Sequence, residues 1–391
     1  MKLDYDYIIA GSGLAGLSLL HHLLLDDTLS KKKILVIDKE QKTENDRTWC
    51  FWEKGKNIFE PIVHHQWKTL QFFSPDVSKA FDLKKYRYKM IQAGDFYSLV
   101  LGHAATFENV TFMAGNIVEM DVKEGIAILK TDKDNFTCSY IFNSTGLFNP
   151  VMNTNNTLLQ HFTGWFIKTS TPVFDSKVGT LMDFRLDQDH GTTFMYVLPT
   201  SSTEALIEYT LFSESILDED DYKQALISYI ENRLKISEYE ITHREFGIIP
   251  MSLAKFSRYI KDEGRIVNIG TAGGFTKAST GYTFQFVQKN VKKIVEKLKL
   301  DQSPAIGLSW ENSIYAWYDR TLLDVLLSNK LTGKEIFSSL FKKNNPESIL
   351  AFLANESNFW EEFKIRNSVP LGPFITSGMK QLFPGNKDLS D

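Results

Sequence analysis

The 391-residue chain contains only two cysteines, Cys50 and Cys138. Two thiols without metal-ligand spacing exclude a disulfide framework, so a reducing compartment and no metal are expected. Basic charge is not in excess: 44 Lys and Arg stand against 48 Asp and Glu, a formal net charge of −4. That balance supplies no field for phosphate backbones, and nucleic acid is not an expected partner. No uncharged apolar run approaches the roughly 18 residues needed to cross a bilayer, so membrane contact is expected to be peripheral. A strand pattern begins almost at Met1, so no signal or transit peptide is expected and the location is read as cytoplasmic. Internal repeats and low-complexity segments are missing as well. Aromatic residues are in surplus: 29 Phe, 15 Tyr and 7 Trp make 13% of the chain, which suits a large apolar ligand or an interfacial face.

A chain of this length exceeds what one compact core usually serves, and two intertwined domains are expected. Tyr7-Ile8-Ile9-Ala10 reads as a buried strand running into Gly11-Ser12-Gly13-Leu14-Ala15-Gly16, after which Leu17, Leu19, Leu20, Leu23 and Leu24 recur at helical spacing. A second apolar strand, Ile34-Leu35-Val36-Ile37, ends at Asp38, 22 positions past Gly16, where a dinucleotide fold places a carboxylate for ribose hydroxyls. In that reading Gly11 permits the turn, Gly13 admits the pyrophosphate and Gly16 lets the helix pack closely, so an anion meets the positive helix end.

The glycine motif does not separate FAD from NAD. Two later segments resemble the returning motifs of FAD-dependent oxidoreductases: Tyr140-Ile141-Phe142-Asn143-Ser144-Thr145-Gly146, and Arg265-Ile266-Val267-Asn268-Ile269-Gly270 followed by Thr271-Ala272-Gly273-Gly274 and Lys277-Ala278-Ser279-Thr280-Gly281. Where those enzymes carry Gly-Asp, this chain has Gly270-Thr271. The expected architecture is α/β: a Rossmann-type FAD-binding domain from residues 1–150 and 246–310, an inserted antiparallel substrate sheet at 151–245, and a helical region at 311–391. Within the insertion, strands are expected at 164–168, 180–185, 192–199 and 205–212, the last two flanking a hairpin loop at 200–203.

Glu208 stands in a strand otherwise made of Ala, Leu, Ile, Tyr and Phe. Buried, it would hold its proton near neutrality and serve as a general acid; on the solvated face of a half-exposed strand it would be an ordinary surface carboxylate. Periodicity leaves both open.

Asp46-Arg47-Thr48-Trp49-Cys50-Phe51-Trp52 resembles a signature segment of lycopene cyclases. Phe162-Thr163-Gly164-Trp165, Leu181-Met182-Asp183-Phe184-Arg185, Tyr196-Val197-Leu198-Pro199, Ile207-Glu208-Tyr209-Thr210, Gly273-Gly274 with Thr280-Gly281-Tyr282, and Tyr318-Asp319-Arg320 resemble further segments of that family in the same order. The resemblance spans nearly the whole chain. It departs at Tyr209, where the family has a second acid, and at Phe166, where many relatives carry Glu. The resemblance implies a lycopene β-cyclase, an isomerase that converts linear end groups into β-rings without net redox change. It uses reduced FAD, with NAD(P)H as reductant, at a membrane surface. It implies Glu208 as proton donor and Trp165 and Tyr196 as aromatic faces for the cationic substrate. Cofactor contacts fall to Gly11, Gly13, Leu14, Ala15, Gly16, Asp38, Thr145, Gly146, Gly270, Gly273, Gly274, Thr280 and Gly281. Arg47 is read either as a phosphate ligand or as an ion-pair partner fixing its own loop. The competing readings are a flavin monooxygenase or prenyl-chain reductase, and a carotenoid carrier without catalysis.

Overall fold

Tyr7, Ile8, Ile9 and Ala10 are buried in a row within the strand Tyr5–Ala10, the pattern of a parallel strand covered on both faces. It pairs in parallel with Ile34–Asp38 and with Asn135–Asn143, and Val110–Ala114 and Ile266–Asn268 extend the sheet in parallel at either side. Tyr259–Ile260, Ile117–Lys123 and Ile126–Thr131 join through antiparallel pairs. On one face the helices Leu14–Leu24, Ala93–Ala104 and Phe284–Lys299 build a core around Ile9, Val36, Phe96 and Val287; on the other, Ile8, Ile37, Met120 and Leu129 pack together. This is a computed structural model, and it describes residues 2–40, 42–260, 264–307 and 310–382.

A second sheet of seven strands runs in the order Glu240–Ser252, Thr157–Lys168, Glu204–Ser213, Thr192–Pro199, Val178–Asp183, Thr69–Ser74 and Val77–Asp82. The four strands expected in the insertion are all present, and the loop at 200–203 closes an antiparallel hairpin. Two features differ from expectation. Thr69–Ser74 and Val77–Asp82 come from within residues 1–150, because the buried alternation of Leu70, Phe72 and Ser74 makes a half-buried strand that pairs in parallel with Val178–Asp183. The edge strand Glu240–Ser252 also runs past the expected limit at 245.

Alternation sorts this sheet into two faces. Leu206, Phe212, Phe194, Tyr196, Leu198 and Phe166 meet the C-terminal helices; Trp165, Ile167, Met195, Ile207, Tyr209 and Leu211 meet the helix Glu219–Ser228. The first core is an aromatic stack, with Phe72 on Phe341 at 4.1 Å and Phe184 on Phe337 at 5.8 Å between ring centres. The expected helical region comprises Trp310–Leu327, Gly333–Lys343, Pro346–Leu353, Phe359–Ser368 and Leu371–Leu382; its residues 383–391 lie outside the described residues. Thr332 with Glu335, and Asn358 with Glu361, form reciprocal capping boxes that fix two of these helix starts. No helix among the described residues is long and apolar enough to cross a membrane.

Candidate active site

The strand Thr48–Glu53 threads between the two cores, and its alternation decides what each side chain meets. Trp49 and Phe51 turn toward the dinucleotide half, where Phe51 stacks on Phe284 at 4.3 Å. Thr48, Cys50 and Trp52 take the opposite side; Trp52 packs edge-on against Tyr282 at 4.5 Å, and Thr48 and Cys50 line a cavity of about 650 Å³. That cavity runs from the glycine turns of the first sheet to the middle of the second.

At its inner end lies a row of paired residues across four strands. Gly164, on the strand Thr157–Lys168, is the register partner of Glu208 on one side and of Glu245 on the other, and Glu208 in turn faces Tyr196. Because facing residues share a sheet face, both carboxyl groups project into the cavity with a side-chain-free position between them. Thr210 donates its hydroxyl hydrogen bond to Glu208 Oε1 at 2.8 Å. What surface Glu208 retains, it presents to the cavity. Burial and the neighbouring Glu245 carboxylate raise the Glu208 pKa well above the usual carboxylate range, with the Thr210 hydrogen bond opposing in part. Glu245 is buried, and neither of its oxygens has a hydrogen bond of normal geometry. Burial raises its pKa too, while the Thr48 hydroxyl and amide and the Arg47 charge pull it back. Tyr88, Tyr196, Tyr282 and the Cys50 thiol surround the pair, and burial keeps all four protonated far above their ordinary ranges.

The outer end of the cavity is built from glycines. Gly11 adopts φ +99°, and a Cβ there would stand 2.2 Å from Ser144 Oγ; a Cβ on Gly16 would stand 2.0 Å from the Gly11 carbonyl. Gly13, by contrast, has open space where a side chain would go. The helix Leu14–Leu24 begins at Gly13 with no capping side chain and no acid in its first turn, which leaves its first amides free for an anion. Gly270 and Gly281, with φ +62° and +70°, bring two more backbone turns to the cavity. Gln160 Oε1 and Thr280 Oγ1 are buried there without a protein partner. A dinucleotide fits this cradle in shape and in donors.

Leu14, Ala15, Asp38, Arg47, Thr145, Gly146, Thr280 and Tyr196 also line the cavity. The Asp38 carboxylate accepts from the Ser12 amide and hydroxyl at 2.7 and 2.8 Å, so it also ties down the glycine turn. Arg47 lies 3.7 Å from Asp46 with its side chain largely exposed. Gly273 and Gly274 stand behind the cavity wall; a Cβ on Gly273 would meet the Asn268 carbonyl at 2.2 Å, so this pair shapes the turn. Trp165 does not join the site: one residue along from Gly164, it points to the other sheet face, where the Arg244 guanidinium lies 5.7 Å from its ring. Tyr209 faces that same side. Glu245 escaped the sequence reading because its strand puts Phe246 and Ile248 on the exposed phase and Glu245 and Gly247 on the buried one, reversing the usual hydrophobic signal.

The sequence model of the family described as Lycopene cyclase protein matches residues 6–378. The lycopene beta-cyclase of Pseudescherichia vulneris is 22% identical over 403 residues, covering 98% of this chain and 99% of its own. Among solved structures, a flavoprotein/dehydrogenase from Cytophaga hutchinsonii superposes with a TM-score of 0.61 at 14% identity, over 97% of this chain and 99% of that one. A point mutant of the halogenase PltM in complex with FAD superposes with a TM-score of 0.55 at 12% identity, over 91% and 78%.

Proposed function

The chain belongs to the lycopene cyclase family, and from that premise we propose that it closes linear lycopene end groups into β-rings by a proton-initiated, redox-neutral cyclisation. The observation that carries this reading is the Glu208 carboxyl group, held protonated by burial at the inner end of a cavity whose outer end is a dinucleotide cradle. A neutral carboxylic acid in a water-poor site is a competent proton donor at neutral pH.

Glu208 gives its proton to the terminal double bond. An internal double bond then attacks the tertiary cation, and loss of a ring proton leaves the β-ring. The faces of Tyr88, Tyr196 and Tyr282 around the inner cavity attract the transient positive charge, and their burial excludes the water that would trap it. FAD, reduced at the expense of NAD(P)H, supplies negative charge beside the cation when bound, and weak screening in the cavity strengthens that attraction. Gly11, Gly13, Leu14 and Ala15 would hold its pyrophosphate, with Thr145, Gly146, Gly270, Thr280 and Gly281 along the rest of the cofactor. Asp38 would reach the ribose and Arg47 a phosphate.

Lycopene is confined to lipid, so the protein must meet a membrane. Support for peripheral docking comes from two C-terminal helices. Phe359, Trp360 and Phe363 on one, and Leu371, Ile375, Met379 and Leu382 on the other, are all exposed, with Lys364, Arg366 and Lys380 interspersed. An apolar face rimmed by cations is suited to lying among lipid headgroups. Expression in a lycopene-accumulating cell is expected to turn the pigment into β-carotene; lycopene left unchanged by a flavin-loaded protein would sink the reading.

A further inference from the structure

Resting on that reading, we propose that Glu245 is the base that removes the ring proton, so that Glu208 and Glu245 work as an acid and base facing one another across Gly164.

The geometry begins with the gap. Neighbouring strands lie about 4.8 Å apart, which sets the Cα atoms of Glu208 and Glu245 about 10 Å apart with Gly164 midway. The Glu245 side chain leans over the gap: a Cβ on residue 164 would stand 3.0 Å from its Cγ and 3.1 Å from its Oε1. Leu206 Cδ1 would stand at the same 3.0 Å, so glycine at 164 is what lets the Glu245 carboxyl close over the row between the two acids. Glu245 and Glu208 line the same cavity, and the Glu245 oxygens are buried without a hydrogen bond of normal geometry.

The surroundings divide the labour. Two carboxyl groups sharing one site resist double ionisation, so near neutrality the pair holds one proton. Glu208 stands among the neutral groups Tyr88, Tyr196 and Cys50, with no cation beside it among the described residues and only the Thr210 hydrogen bond favouring its anion. At Glu245, burial and the Asp46 charge are opposed by the Thr48 donors and the Arg47 charge, the one cation among the described residues acting on either carboxyl group. The proton accordingly resides on Glu208 and the charge on Glu245, the arrangement needed at the start of the reaction. During turnover the proton of Glu208 forms a C–H bond at the terminal alkene, two double bonds are consumed, and one ring C–C bond and one new double bond form. The displaced ring proton goes to Glu245. No electrons enter or leave. The pair ends with its proton on the opposite member and resets by transfer across the gap or exchange with solvent.

The test compares Glu245→Gln with Glu208→Gln, both with flavin content measured, on lycopene in deuterated buffer. Glu245→Gln is expected to retain flavin and to lower β-ring formation by about 100-fold or more. It should also either wash deuterium into recovered linear substrate, as protonation reverses, or shift product toward the ε-ring isomer, as a neighbouring ring proton leaves instead. Glu208→Gln should give neither deuterium nor ring. Wild-type rate and ring ratio from Glu245→Gln would overturn the proposal. So would a slowed variant with unchanged ring ratio and no deuterium in recovered lycopene, since a structural role alone explains that result. Cyclisation by Glu208→Gln would instead defeat the underlying assignment of the donor.

Discussion

The Trp52 indole donates a buried hydrogen bond to the Leu350 carbonyl at 2.9 Å, joining residues 298 positions apart. The strand that lines the cavity is thereby pinned to the helix Pro346–Leu353 of the C-terminal cover. The same carbonyl also accepts from the Ala354 amide, so losing the indole would not orphan it. Trp52→Phe is expected to lower stability by about 1 kcal/mol for the hydrogen bond, plus a packing loss of similar size. Urea unfolding followed by fluorescence measures this; an unchanged midpoint would count against the strut.

Glu208→Gln keeps size and removes the proton. The variant is expected to bind FAD normally and to lose cyclisation; substantial β-carotene from it would reject the donor role. In the wild type the raised Glu208 pKa fixes the sign of the pH response. The neutral acid is present below that pKa, so activity should fall as pH rises above it; because Glu245 must be ionised, activity should fall on the acid side of its own raised pKa as well. A rate that rises steadily through the alkaline range would contradict a protonated donor.

Gly13→Val places a branched side chain in open space, so the fold should tolerate it while the phosphate cradle fills. Expected is soluble protein with a thermal midpoint close to wild type and no flavin absorbance. Normal flavin content would remove Gly13 from the cofactor site.

Trp360 and Met379 are each more than 60% exposed, so replacing both with Glu should leave folding intact. Co-sedimentation with anionic phospholipid vesicles is expected to fall by about tenfold or more, since each change removes apolar contact worth roughly 1–2 kcal/mol and adds repulsion. Undiminished binding would move the docking face elsewhere.

The dinucleotide half was legible because strand, glycine turn, helix and terminal acid each leave a separate mark, as Tyr7–Ala10, Gly11–Gly16 and Asp38 do. The hairpin around 200–203 was readable for the same reason. Other features depend on long-range pairing. The strand Thr69–Ser74 finds its partner more than a hundred residues away, which no local pattern announces. Trp165 looked suited to the substrate by residue type, yet its neighbour Gly164 took the inward phase and sent the indole outward. Glu245 was invisible because apolar Phe246 and Ile248 border the cavity from the exposed phase of an edge strand. The signal that would have found it is Gly247, whose missing side chain leaves room for the Phe162 ring and so marks the inward phase.

The outward orientation of Tyr209 bears on how such chains diversify. Its ring lies against Tyr222 on the helix Glu219–Ser228, shielded from the reacting pocket by the thickness of the sheet. Substitutions at that position answer first to helix packing, and an acid placed there would lie across the sheet from the Glu208 carboxyl. Any acid on that phase of the strand is walled off from the cavity, whatever its affinity for a proton.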